Sequence, residues 1–121
     1  MKHLMFICVI LVVATLDSCV QKTYERKVKF LLDVSGIDNI KSVGIRGAQS
    51  PLNWETDIEM KPVFKDSMYA IDITFVTGYL FTEVKFVVNG AFELQYHDNR
   101  KILFDRTQET TICKIKFNIK S

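Results

Sequence analysis

The chain has 121 residues, 48% of them hydrophobic and 25% charged, which is an ordinary composition for one folded globular domain. The formal net charge of +2 is small and the basic residues are scattered, so the composition argues against a nucleic-acid-binding protein. No segment has the low-complexity composition of a disordered region.

The first part of the chain has the pattern of a bacterial secretion signal. Lys2 and His3 precede an apolar run from Leu4 to Ala14, which is too short for a membrane-spanning helix of ~20 residues. The segment Leu16-Asp17-Ser18-Cys19 follows, and it resembles the lipobox of bacterial lipoproteins, whose cysteine is acylated and becomes the new N-terminus. We therefore predict a lipoprotein signal peptide at residues 1–18, lipidation at Cys19, a tether at residues 19–26 and one folded domain at residues 27–121.

Alternation of apolar with polar side chains predicts strands along the folded part, because successive residues of a strand face opposite sides. The predicted inward residues of the first strand are Val28, Phe30, Leu32 and Val34. A second short strand is predicted within residues 40–47 and is followed by a loop at residues 48–54. Ile58 and Met60 indicate a brief third strand that ends at Pro62.

The middle of the chain contains the clearest alternation. The inward residues of a strand before the turn at Thr77-Gly78 are Tyr69, Ile71, Ile73 and Phe75. The next strand has Val84, Phe86 and Val88 facing inward and Glu83, Lys85 and Val87 facing outward. Asn89-Gly90 then tolerates the positive φ angles of a two-residue turn, so residues 91–94 are predicted to return as the second strand of a hairpin.

Two further strands complete the pattern. One covers residues 101–104. The inward residues of the last strand are Thr111, Cys113, Ile115, Phe117 and Ile119. Cys8 lies in the predicted leader and Cys19 would carry lipid, so no disulfide is predicted in the mature chain and Cys113 is predicted to be a small buried side chain. Seven or eight short strands without a helical period predict an all-β fold, an immunoglobulin-like β-sandwich.

Two separated motifs stand in the same order as in a known protein family. The first is Val43-Gly44-Ile45-Arg46-Gly47, followed by Pro51-Leu52-Asn53-Trp54. The second is Glu83-Val84-Lys85-Phe86-Val87-Val88-Asn89-Gly90-Ala91-Phe92-Glu93, followed by Asn99-Arg100. Through these motifs, residues 27–118 resemble the starch- and glycogen-binding carbohydrate-binding modules of families 20 and 48. The resemblance implies a β-sandwich that binds α-glucan.

The resemblance also implies which side chains bind sugar. Trp54 matches one of the two aromatic residues that stack on α-glucan in the family, and Phe92 stands where the family has the second, a tryptophan. Lys85 matches a lysine that donates hydrogen bonds to sugar hydroxyls, and Asn99 has an amide that donates and accepts at once. The predicted carbohydrate-binding residues are Trp54, Lys85, Phe92, Glu93 and Asn99, with Tyr96 and His97 as additional candidates.

The chain lacks the residues that common catalytic sites require. His97 is the only histidine outside the leader, so neither an ordinary zinc site nor a second imidazole base is available, and no Gly-rich phosphate loop or G-x-S-x-G motif occurs. Glu93 and Asp98 are both acidic, but a sandwich of this size offers little depth for the cleft of a glycosidase. We therefore predict no catalytic residues, no metal and no cofactor.

The leading interpretation is a non-catalytic module that binds starch, glycogen or maltooligosaccharides on a lipoprotein of the bacterial cell envelope. Cys19 would attach it to the membrane, on the periplasmic side or at the cell surface, and a glycan-degrading enzyme is a further expected partner. The alternative is a protein-interaction module on the same scaffold, which docks an envelope enzyme or transporter and binds no sugar. Sandwiches host many functions, so the fold alone does not decide between the two.

Overall fold

The computed structural model of the protein describes residues 22–120, and the predicted signal peptide and Cys19 lie outside this range. The strands in the range are β1 (Tyr24–Asp33), β2 (Val43–Gly47), β3 (Ile58–Glu59), β4 (Lys61–Phe64), β5 (Met68–Thr77), β6 (Phe81–Val88), β7 (Ala91–Phe92), β8 (Arg100–Leu103) and β9 (Thr110–Lys116). No helix within residues 22–120 is both long and apolar enough to cross a membrane.

The nine strands form two sheets. The four-stranded sheet has the order β4-β5-β1-β9, and the five-stranded sheet has the order β3-β2-β6, with both β7 and β8 paired to β6. Neighbouring strands are antiparallel except β1 and β9, which are parallel. The predicted all-β sandwich is confirmed, with nine strands in the described residues where seven or eight were predicted.

The core lies between the two sheets and is built from the alternating apolar residues of each. Phe30 of β1 and Phe86 of β6 are fully buried, and their ring centroids lie 6.0 Å apart in an edge-to-face arrangement across the sheet interface. The inward residues predicted for β1 and β6 are all buried: Val28, Phe30, Leu32, Val34, Val84, Phe86 and Val88. The period of two in the sequence therefore predicts the core correctly along these strands.

The chain crosses from one sheet to the other around Met60, and the sequence pattern missed this crossing. The predicted third strand consists of two short strands, β3 in the five-stranded sheet and β4 in the four-stranded sheet, with the buried Met60 between them. Pro62 does not end a strand, because it lies in β4 at the edge of its sheet, where a missing backbone N–H is tolerated. β1 also begins at Tyr24, so it includes the end of the predicted tether.

The hairpin at Asn89-Gly90 is present, but its second strand is shorter than predicted. Both turn residues have positive φ, 52° and 79°, and Val88 pairs with Ala91 across the turn. β7 ends at Phe92 rather than at Leu94, because Leu94 has a positive φ of 48° and the chain leaves the sheet there. It returns to β6 only as β8, and we call the intervening residues 93–99 the 93–99 loop.

The last strand also departs from its predicted pattern. β9 ends at Lys116, and the positive φ of 66° at Asn118 turns the chain away, so the prediction that Ile119 faces inward is wrong and this side chain is exposed. Cys113 is a free, half-buried thiol, and burial raises its pKa to about 11. Such a thiol is almost entirely protonated at neutral pH, which agrees with a packing role rather than a reactive one.

Candidate functional site

A hollow on the outer face of the five-stranded sheet contains four of the predicted binding residues. Its volume is about 510 Å³, and it is lined by Trp54, Lys85, Gly90, Ala91, Phe92, Gln95, Tyr96 and Asn99. We call it the Trp54 hollow. Trp54, Lys85, Phe92 and Asn99 come from four different segments of the chain, and the fold brings them to one place.

The strand register explains why these residues meet. Phe92 of β7 pairs with Val87 of β6, so both side chains lie on the same face of the sheet, and Lys85 lies one alternation further along that face. Val87 was predicted to be exposed, yet it is buried, with Phe92 opposite it in the ladder. Asn99 directly precedes Arg100, which pairs with Val84, so the pairing of β8 with β6 brings Asn99 alongside Lys85.

Trp54 is carried by a loop that is closed by local hydrogen bonds and joined to β2 by the hydrogen bond from Gly47 N–H to the Asn53 carbonyl at 3.2 Å. The Asn53 side-chain oxygen accepts hydrogen bonds from the backbone N–H groups of Glu55 and Thr56, both at 2.8 Å. Gly47, at the start of the loop, packs so closely that an added Cβ would lie 2.8 Å from the Leu52 side chain and 2.9 Å from a backbone oxygen of β6. The loop is therefore anchored at both sides of Trp54, while 36% of the tryptophan remains exposed.

Arg46 connects the two aromatic residues of the hollow, and sequence reasoning did not identify it. Its Nη1 donates a hydrogen bond to the Trp54 carbonyl at 2.8 Å, and its Nε donates to Asp57 Oδ1 at 2.6 Å. The guanidinium carbon lies 4.9 Å from the centroid of the Phe92 ring, in a cation–π contact that covers one face of that ring. The signal available in the sequence was its outward position, alternating with Val43 and Ile45, and the structure places it directly opposite Lys85.

Lys85 holds the 93–99 loop in place. Its Nζ donates hydrogen bonds to the backbone carbonyls of Leu94, at 3.3 Å, and His97, at 2.9 Å. An ammonium group has three donors, so one remains for another acceptor at the hollow. Lys85 therefore supports the loop that supplies Gln95, Tyr96 and Asn99, besides lining the hollow itself.

The prediction that Glu93 binds the ligand is wrong. Its carboxylate is fully buried and accepts two hydrogen bonds from the Arg100 guanidinium, at 2.7 and 2.8 Å. It also accepts hydrogen bonds from the backbone N–H groups of Phe86 and Asn118. All of these partners lie at the base of the 93–99 loop, so Glu93 fixes the loop from inside and does not reach the surface.

The two additional candidates differ in position. Tyr96 lines the hollow and is 95% exposed, with a positive φ of 67° that turns the chain at this point. The His97 side chain is exposed but does not line the hollow, and its backbone carbonyl is what contacts Lys85. Gln95 lines the hollow although it was not among the predicted residues.

The Trp54 hollow combines exposed aromatic rings with hydrogen-bonding groups. The rings can stack on a flat apolar surface, while the ammonium of Lys85 and the amides of Gln95 and Asn99 can bond hydroxyl groups. Within residues 22–120 no group of three or more His, Cys, Asp or Glu side chains is arranged to hold a metal ion. The arrangement is therefore suited to holding a hydroxyl-rich ligand.

Comparison of the chain with models of known protein families finds no match, and comparison with curated proteins finds none either.

Proposed function

We propose that the protein is a non-catalytic module that binds α-glucans, such as starch, glycogen or maltooligosaccharides, in the Trp54 hollow. The observation that carries this proposal is the meeting of Trp54 and Phe92, two partly exposed aromatic residues, in one hollow with Lys85 and Asn99. The four residues match the sugar-binding positions of the family that the sequence resembles.

The ligand would be bound by stacking and by hydrogen bonds together. A pyranose ring has an apolar face that can lie against Trp54 and against the side of Phe92 that Arg46 leaves uncovered. Its hydroxyl groups can accept a hydrogen bond from the remaining N–H of Lys85. They can also both donate hydrogen bonds to the Asn99 amide and accept hydrogen bonds from it. Arg46 contacts the Trp54 backbone and the Phe92 ring at once, and a binding site ordered before the ligand arrives loses less entropy on binding.

Replacing Trp54 by alanine tests the proposal directly. We expect Trp54→Ala to weaken binding of maltoheptaose about thirtyfold or more, since aromatic residues at the centre of binding sites contribute about 2 kcal/mol or more. The fold should persist, because the loop is held by Asn53 and by the bond from Arg46 to the Trp54 backbone. Calorimetry measures the affinity, and circular dichroism checks the fold.

Two further variants sharpen the result. Phe64→Ala removes an exposed aromatic ring from the other sheet and should leave binding unchanged. Phe92→Trp should strengthen binding by about 0.5–1.5 kcal/mol, because it enlarges the stacking face. If the wild type gives no heat with millimolar maltoheptaose, or if Trp54→Ala binds like the wild type, the proposal fails.

We also propose that the protein is a lipoprotein of the bacterial cell envelope, anchored by acylation of Cys19. The support is the sequence pattern of residues 1–19 alone. The wild type should sediment with membranes, whereas Cys19→Ala should be unprocessed or soluble, because several acyl chains hold a protein on a bilayer firmly and their loss removes the anchor. A soluble wild-type protein whose leader is removed at another site would contradict this expectation.

The rival function, docking of an envelope enzyme or transporter, is supported by a different surface. A groove of about 450 Å³ lies between β8 and β9, each of which is paired on one side only among the described residues. Unpaired strand edges can accept an extended segment of another protein. Two results together would favour this alternative. The wild-type protein would bind no glucan, and substitution of Lys114 in β9 would abolish its binding to a protein partner.

A further inference from the structure

A second exposed aromatic cluster lies on the same face of the five-stranded sheet as the Trp54 hollow. A smaller hollow of about 280 Å³ is lined by Ala48, Gln49, Tyr79, Phe81, Thr82 and Glu83. We call it the Tyr79 hollow. Glu83 lines this hollow and Lys85 lines the Trp54 hollow, and the two are neighbouring outward residues of β6, so their Cα atoms lie roughly 7 Å apart. The two hollows are therefore adjacent along one strand.

The aromatic rings of the Tyr79 hollow lie side by side, with their planes tilted by 52°. The ring centroids of Tyr79 and Phe81 lie 6.4 Å apart, and Tyr79 is 61% exposed. The ammonium of Lys101 lies 4.3 Å from the centroid of the Phe81 ring, in a cation–π contact. Leu103, directly opposite Phe81 in the ladder, is also exposed. Contiguous exposed apolar side chains of this kind commonly mark a binding surface.

Polar groups without partners lie beside these rings. The Gln49 side-chain oxygen and the Thr82 hydroxyl are covered by neighbouring atoms and have no hydrogen-bond partner among residues 22–120. A covered polar group without a partner is destabilising. Gln49 is only partly buried and lines the Tyr79 hollow, where its amide nitrogen donates a hydrogen bond to the Thr77 hydroxyl at 3.2 Å. The hollow thus repeats the combination of aromatic faces and hydrogen-bonding groups found around Trp54.

We propose that the two hollows are subsites for a single glucan chain that runs along the outer face of β6. This inference rests on the proposed function of the Trp54 hollow. Phe92 pairs with the sixth residue after Phe81, so the platforms lie on the order of 20 Å apart along the strand. Glu83, which lines the Tyr79 hollow, pairs with Lys101, and both lie on the side of that hollow that faces Lys85, where they can bond hydroxyls of the glucan chain. The protein accordingly binds long glucan chains more tightly than short ones.

The dependence of affinity on chain length tests this inference. We expect the wild type to bind soluble amylose and maltoheptaose more tightly than maltotriose in calorimetry. Tyr79→Ala should weaken the binding of the longest chains roughly threefold to tenfold, because this is the change in affinity that the loss of one aromatic stacking contact causes. The same variant should bind maltotriose with the affinity of the wild type. Phe64→Ala, which removes an exposed ring from the other sheet, should affect neither ligand.

The outcomes separate this inference from the proposed function. If maltotriose binds and depends on Trp54, but Tyr79→Ala leaves the affinity for amylose unchanged, the second subsite is disproved and the Trp54 site stands. If affinity does not rise with chain length, the second subsite is likewise disproved. If no glucan of any length binds to the wild type, both proposals are disproved. Phe81→Leu, which keeps an apolar side chain on β6, provides a second variant and should reproduce the effect of Tyr79→Ala.

Discussion

Replacing Glu93 by alanine is expected to lower the free energy of unfolding by about 3–5 kcal/mol, the usual cost of removing one partner of a buried ion pair. The carboxylate is fully buried, and its loss would leave the Arg100 guanidinium without its two charge-assisted bonds. The backbone N–H groups of Phe86 and Asn118 would lose their acceptor as well. A small domain is stable by about 5–15 kcal/mol, so this change removes a large share of its stability.

A second glutamate provides the matched control. Glu109 forms an ion pair with Lys27 at 3.1 Å, but both side chains are largely exposed to water. Exposed ion pairs contribute about 0–1 kcal/mol, so Glu109→Ala should unfold nearly like the wild type. Urea denaturation measures both variants. Equal midpoints for Glu93→Ala and Glu109→Ala would contradict the structural role assigned to the buried pair.

The same contacts connect the stability of the fold with the candidate site. Glu93 and Arg100 bracket the 93–99 loop, and Arg100 also donates hydrogen bonds to the backbone carbonyls of Lys116 and Ile119. Leu94 N–H donates to the Asn118 side chain at 2.7 Å, so the loop is joined to the end of the chain. The loop that carries Tyr96 and Asn99 is therefore fixed by buried polar contacts. Removal of the Glu93 carboxylate should also disturb the Trp54 hollow.

Alternation in the sequence was sufficient to predict the core along β1 and β6, each of which is long and lies in one sheet. In β1 and β6 the apolar residues recur at every second position, and a buried face leaves no other register open. The Asn89-Gly90 turn was predictable for a local reason, since both residues adopt positive φ angles that suit a two-residue hairpin. These features depend on neighbours in sequence, which is the information that a pattern contains.

The features that the sequence did not predict depend on contacts between distant residues. Met60 has the apolar character of any strand residue, and nothing local indicates that the chain changes sheets beside it. Ile119 continues the alternation of β9, but the turn at Asn118 moves it into solvent. Glu93 is a surface-type residue by composition, and only its pairing with Arg100 across the loop makes burial possible.

The candidate site was predictable only in part, because it too depends on contacts between residues that are distant in the sequence. Spacing alone did not relate Trp54 to Phe92, and the grouping came from the motifs that the two residues share with a known family. The structure places them with Lys85 and Asn99 around one hollow. Arg46 was missed because its contacts with Trp54 and Phe92 are made through a backbone carbonyl and a ring face, neither of which leaves a motif.

Within the apolar core, Phe86→Ala should lower the free energy of unfolding by about 3–5 kcal/mol. Phe86 is fully buried in β6, and truncation would remove its edge-to-face contact with Phe30 and leave a cavity between the two sheets. Ile71 and Phe117 were predicted to be comparable core residues, but both are only partly buried, so their alanine variants should cost less.

Phe64→Ala makes the Phe86 experiment specific, because it is the same substitution at a ring that is 69% exposed. A surface change of this kind should alter the unfolding free energy by no more than about 0.5 kcal/mol. Thermal and urea unfolding of both variants measure the difference. A shift of β6 by one residue would turn Phe86 outward and make its truncation nearly harmless. If Phe86→Ala and Phe64→Ala have the same free energy of unfolding, the assignment of inward and outward residues in β6 is wrong. The placement of Lys85 and Glu83 on the outer face would then be wrong as well.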